Sequence, residues 1–175
     1  MKARYVVDTN VLIAASAADP TYPKDIDATP SDPMLRQEIW TWLSCFQDSD
    51  SRLVLDGAGK ILEEYEKKLG FNDFGRQVVM HKWSTAAVDD VDVEFDRHGE
   101  GVLPATLAPV IHDGADRKMV AAALEISAEF GDGCIAFAGD TDWHDWEDAL
   151  AAHRVSLEPI IEVWSRAKHA DKKLR

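Results

Sequence analysis

Apolar and polar positions along the chain fall into short blocks. Tyr5, Val6 and Val7 form an apolar run that stops on Asp8, with Asn10 two residues later and a second apolar run, Val11 to Ala15, behind it. Cys134 to Ala138 repeats that pattern and passes through Gly139 to Asp140, Thr141 and Asp142. Strands that are apolar on both faces belong inside a parallel sheet. Ligands of open α/β sheets collect just beyond the carboxyl ends of such strands. Asp8 and Asp140 therefore stand where chemistry is expected, although Asp also suits a turn or a helix cap.

Between these strands the spacing turns helical. Leu35, Ile39, Trp42, Leu43 and Phe46 mark one face of a helix that Ser31-Asp32-Pro33 opens, with Pro33 at the first helical position. That face serves equally as core or as a dimer surface. Arg52 to Leu55 reads as a strand, and Asp56, Gly57 and Gly59 as the turn into a helix over 60–69. Its buried stripe is Ile61, Leu62, Tyr65 and Leu69, so Glu63 or Glu64 can lean toward the sheet edge. Phe74, Val78 and Val79 predict a further helix, and Val88 to Phe95 extended chain. Asp113 and Asp116 precede the helical run Met119, Val120, Ala123, Leu124 and Ile126. Residues 145–153 read as helix, Val155 to Leu157 as a last strand, and Pro159 as the opening of a final helix through Trp164. The order β, α, β, α, α, β, α, β, α, β, α predicts an α/β fold whose mainly parallel sheet carries helices on both faces. Two irregular stretches exceed that plan. They are 18–29, near the strand-end acids and able to gate a substrate, and 96–111, an insertion or hairpin.

Composition narrows the picture. A chain of 175 residues that is 46% hydrophobic forms one domain over 1–175 with a proper core. No apolar run is long enough to cross a membrane and no secretory leader is recognisable, so a cytoplasmic protein is expected. Cys45 and Cys134 have neither metal-ligand nor redox spacing, and no disulfide is expected. A formal net charge of −13 excludes a broad basic face for nucleic acid. Arg166, Lys168, Lys172, Lys173 and Arg175 gather in a basic tail over 166–175. The tail can steer RNA or clasp a partner, but a solvated, frayed terminus is the simpler reading. The Gly57-Ala-Gly-Lys60 segment lacks P-loop spacing, which removes support for ATP binding. Trp143 and Trp146 follow Asp140 closely, and packing beneath a site suits them better than base stacking. His144 can meet a phosphate or donate a proton, although a lone exposed histidine usually does neither.

Taken in order, VVDTNVLIAA at 6–15, EYEKKL at 64–69, DGADRKMVAAAL at 113–124 and AFAGDTDW at 136–143 resemble the PIN-domain nucleases over most of the chain. The resemblance implies a PIN-like three-layer α/β/α fold and a metal-dependent endoribonuclease. Members of this size are commonly toxins of bacterial toxin–antitoxin pairs. Carried over by position, the catalytic and metal-holding acids are Asp8, Glu64, Asp116 and Asp140, with Asn10, Asp113 and Asp142 auxiliary. Glu64 is preferred to Glu63 because it stands five residues before Leu69, as the family glutamate usually does. Ala138 takes the place where the family often has Thr or Ser. The implied partners are an RNA substrate, a cognate antitoxin protein and a second copy of the chain.

Physical chemistry supports a cation independently. Clustered carboxylates repel, which raises their pKa values and costs stability unless a cation neutralises them. Ligands that are all oxygen favour hard ions, so Mg2+ or Mn2+ fits better than Zn2+. A noncatalytic RNA-binding or assembly module is the alternative. An aspartyl phosphatase is disfavoured, because Asn10 stands where its second Asp is needed.

Overall fold

The computed structural model describes residues 1–19 and 28–174. Among them the chain forms five strands and seven helices in the order β1 Arg4–Val7, α1 Thr9–Ser16, α2 Pro33–Asp48, β2 Arg52–Asp56, α3 Lys60–Lys68, α4 Phe74–Ser84, β3 Val88–Val91, α5 Gly114–Phe130, β4 Gly133–Phe137, α6 Trp143–Ala151, β5 Val155–Pro159 and α7 Glu162–Lys173. The strands make one parallel sheet in the order β3-β2-β1-β4-β5. β1 pairs Tyr5 with Leu53 on one side and Val6 with Ile135 on the other, so its side chains are buried from both faces. That position explains the unbroken apolar run at the start of the chain.

The direction of strand progression decides where a site can form. From β1 the chain moves outward through β2 to β3, then crosses back to β4 and on to β5. Right-handed crossovers in opposite directions place their helices on opposite faces. Helices α1, α2 and α4 pack on one another, and α5 lies along the sheet against every strand. The reversal falls between β1 and β4, and ligands of open α/β sheets bind beyond the carboxyl ends of the strands at such a point. Most of the core sits on this central part of the sheet, including Val7, Leu55, Ile135, Phe137 and Val120, all at most 1% exposed. No helix among the described residues is long and apolar enough to cross a membrane.

Several local expectations are corrected. Two helices rather than one connect β1 to β2. Pro159 does not open a helix. It closes β5 opposite Phe137, on an edge strand where its missing N–H costs no ladder bond. The last helix begins at Glu162 and continues to Lys173, so most of the basic residues lie on an ordered helix and not on a frayed tail. Arg166, His169 and Lys173 of α7 pair with Glu147 and Asp145 of α6, which ties the two helices together. The side chain of His144 is only 3% exposed and bonds to Ser165 Oγ at 2.9 Å, which makes it part of the α6–α7 contact rather than an exposed group. The 96–111 stretch begins as a hairpin closed by the Phe95–Gly101 bridge, and Leu103, Leu107 and Ile111 bury its remainder. The loop expected over 18–29 lies for the most part outside the described residues. Cys45 is exposed, Cys134 is buried, and both are free thiols.

Candidate active site

Asp8 follows the last residue of β1 and caps α1, its carboxylate accepting from the Asn10 N–H at 3.3 Å. Its own N–H donates to the Ala136 carbonyl at 2.9 Å, which extends the β1–β4 pairing one residue beyond the strand. On the β4 side, the Gly139 N–H donates to Asn10 Oδ1 at 2.8 Å. The next residue, Asp140, accepts from the Asp142 N–H at 2.9 Å. The turns after β1 and β4 are thereby locked to each other, and two carboxylates stand at the switch point.

Two helices bring the other acids. The Asp56 carboxylate caps α3 by accepting the Lys60 and Ile61 N–H groups at 2.9 and 2.6 Å. The buried Tyr65 hydroxyl then donates to the Val7 carbonyl, fixing the rotation of α3 against the end of β1. That rotation turns Glu64 inward to accept the Thr9 hydroxyl and pair with Lys118. Glu63 is turned outward to Lys60 and Lys67. Asp113 caps α5 through the Ala115 N–H at 2.8 Å, and Asp116 in the first turn is 7% exposed. Asp142 sits at the N-cap of α6 and pairs with Lys172.

The electrostatics show the charges of Asp140 and Glu64 acting on both Asp8 and Asp116. Burial, then the charge of Asp140 and a smaller one from Glu64, push Asp8 up to about 7. The Asn10 N–H opposes that rise, as does the nearby Trp143 indole, although its N–H is not aligned for a hydrogen bond of good geometry. Burial, then the charges of Asp8, Asp140, Asp113 and Glu64, push Asp116 up to about 9. The first-turn position of Asp116 favours an anion by only about 0.3–1 kcal/mol. Each pKa unit corresponds to about 1.4 kcal/mol, so burial and repulsion win. Asp140 is also raised, chiefly by burial, with the Asp142 N–H and Lys172 working against it.

Oxygen is the only donor type these acids offer, and the buried Asp8 Oδ2 has no hydrogen-bond partner. Both features fit a hard divalent cation. Among the described residues, however, no three His, Cys, Asp or Glu side chains converge as a ready-made metal cage. Glu64 is already neutralised by Lys118. The donor chemistry thus fits, while the side chains stand apart.

Lys118 and Thr9 are the site residues that sequence reading missed. Thr9 carries no signal of its own. Lys118 had one, because a lysine inside a helical segment buried on nearly every side needs a partner. Two depressions flank the cluster. One of about 290 Å³ lies between α3 and the tip of the 95–101 hairpin. The other, about 270 Å³, is lined by Thr141, Lys168, Asp171 and Lys172. Comparison of the chain with protein-family models, with curated proteins and with solved structures finds no match.

Proposed function

We propose that the protein is a metal-dependent endoribonuclease that hydrolyses phosphodiester bonds of single-stranded RNA. The observation that carries this reading is that Asp8, Glu64, Asp116 and Asp140, drawn from four separate elements, lie near enough at the carboxyl end of the sheet for the charges of Asp140 and Glu64 to act on both Asp8 and Asp116, with three of the four driven toward protonation. Burying these carboxylates, with the charges of neighbouring acids adding to the penalty, has no structural benefit, and a cation would relieve it. Asp8, Asp116 and Asp140 would hold Mg2+ or Mn2+. When bound, such an ion supplies Lewis-acid activation of water and neutralises charge at the phosphate.

The chain's own residues do the remaining work. Glu64, kept in place by Thr9 and Lys118, is the carboxylate positioned to orient a water or accept its proton. Lys118 balances charge at the rim of the site. Asn10 holds the two strand-end turns in register. Trp143, whose indole lies near Asp8, is fully buried and packs against Phe137.

The test is cleavage of a mixed single-stranded RNA pool with Mg2+, with Mn2+ and with EDTA, beside an Asp8→Asn, Asp116→Asn double variant. Metal-dependent cutting that the double variant loses is the expected result. A place as the toxin of a toxin–antitoxin pair belongs to the same reading. It is checked by whether expression arrests growth and whether Asp8→Asn relieves the arrest.

One observation favours a second reading. Because Lys118 neutralises Glu64 and no ready-made cage is present among the described residues, the cluster also suits a noncatalytic RNA-binding module. Wild-type protein that binds RNA, takes up no Mn2+ and cuts nothing would select it.

A further inference from the structure

Positive charge is scarce on a chain with net charge −13, yet four lysines and only two glutamates line the depression beside α3. The helix explains the grouping. Residues 60, 63, 64, 67 and 68 share one face at helical spacing, while Ile61 and Tyr65 on the other are buried. The facing wall is the tip of the 95–101 hairpin, with His98 and Gly99. That wall is firm. The Asp96 carboxylate accepts the His98 and Glu100 N–H groups at 2.8 and 3.0 Å. Gly101 lies so close to α5 that a Cβ there would come within 2.7 Å of the Arg117 carbonyl oxygen. Glu64 and its partner Lys118 are among the lining residues, so the groove shares one carboxylate with the acid cluster.

The lysines are unequally committed. Lys60 and Lys67 share Glu63 at 3.4 and 2.9 Å. Lys118 belongs to Glu64. Among the described residues Lys68 has no ion pair, so α3 presents more positive charge than Glu63 balances. The acid cluster itself repels phosphate, and affinity for a polyanion has to come from the surface beside it.

We propose that the groove between α3 and the 95–101 hairpin binds a backbone phosphate of single-stranded RNA next to the scissile one, with Lys68 and Lys67 as its contacts. This rests on the nuclease reading and specifies the path its substrate takes, from Glu64 outward along α3. A single strand is the occupant because a duplex needs the broad basic face that this chain lacks.

The experiment is fluorescence anisotropy of a labelled single-stranded RNA oligonucleotide in EDTA, over a series of salt concentrations. It compares wild type, the exposed-lysine variant Lys67→Gln, Lys68→Gln, and Lys2→Gln at the far end of the sheet. Release of about 0.7 counterion per neutralised phosphate predicts that the double variant binds about fourfold more weakly near 0.15 M salt and loses about 0.7 from its log–log salt slope. Lys2→Gln should keep the wild-type slope. In Mn2+, the double variant should raise KM and retain kcat. Equal binding by wild type and the double variant overturns the groove, and cutting by both would then leave the nuclease reading standing. Binding lost in the double variant, with no cutting by wild type, keeps the groove and removes the nuclease reading. Wild type that ignores RNA also overturns the proposal, and capture of polyglutamate by the same two lysines would assign the groove to an acidic protein.

Discussion

The Gly139 backbone N–H donates to the Asn10 side-chain oxygen at 2.8 Å, and this bond joins the turns that carry Asp8 and Asp140. Residue 139 has room for nothing larger than glycine. A Cβ there would lie 2.1 Å from the Thr29 carbonyl oxygen and 2.7 Å from Asn10 Oδ1. Gly139→Ala is expected to cost about 1–3 kcal/mol of stability, as overpacking at a rigid site does. Asn10→Ala, which leaves the Gly139 N–H unpaired, should cost about 1 kcal/mol or somewhat more. Urea unfolding measures both, and a Gly139→Ala protein as stable as wild type would contradict the close approach.

Stability of the metal-free protein should fall as pH rises. In the unfolded chain Asp8 and Asp116 ionise near 3.8, whereas folding raises them to about 7 and about 9. Between the unfolded and folded values the native state holds protons that the unfolded state has lost, so each unit of pH removes stability. The window is about 4 to 7 for Asp8 and about 4 to 9 for Asp116. Between pH 6 and pH 9, which holds about one unit of the Asp8 window and three of the Asp116 window, the combined loss is on the order of 5 kcal/mol. Unfolding in EDTA at pH 6 and pH 9 measures it. Asp116→Asn should flatten the dependence, and Mn2+ should offset the loss at the alkaline end. A wild-type profile no steeper than that of Asp116→Asn would rule the effect out.

Lys118→Met separates the two services of the Glu64 pair. The side chains are 10% and 21% exposed, so removing the cation leaves a poorly solvated carboxylate and should cost about 1–3 kcal/mol without metal. The same change leaves one more carboxylate unneutralised, so Mn2+ should bind more tightly. Calorimetric titration tests the second effect. Unchanged Mn2+ affinity would mean that Glu64 stays outside the metal's reach.

Trp143 is fully buried, edge-on to Trp146 at 5.2 Å between ring centroids and 6.3 Å from Phe137. Trp143→Ala should cost about 3–5 kcal/mol. Water admitted beneath Asp8 should also return its pKa toward the ordinary carboxylate range, which carboxyl carbon shifts followed by NMR against pH would show. An Asp8 that still titrates near 7 would place the cause in its charged neighbours and not in burial.

Hydrophobic pattern among neighbouring residues was enough to read the α/β class, the strands ending on Asp8 and near Asp140, and the helices carrying Glu64 and Asp116. It works because a buried strand or helix face writes its period directly into adjacent positions. The same pattern misjudged Pro159, whose place in β5 depends on that strand lying at the sheet edge. It could not separate Glu63 from Glu64. That choice follows from the rotation of α3, set by Tyr65 bonding to the Val7 carbonyl 58 positions away. Nor could it pair Lys118 with Glu64, Asn10 with Gly139, or α7 with α6. Element type is a local property of the chain, so the sequence alone determined it. Which carboxylates meet, and which of them are neutralised, depends on contacts between residues remote in sequence, and only the tertiary structure decided them.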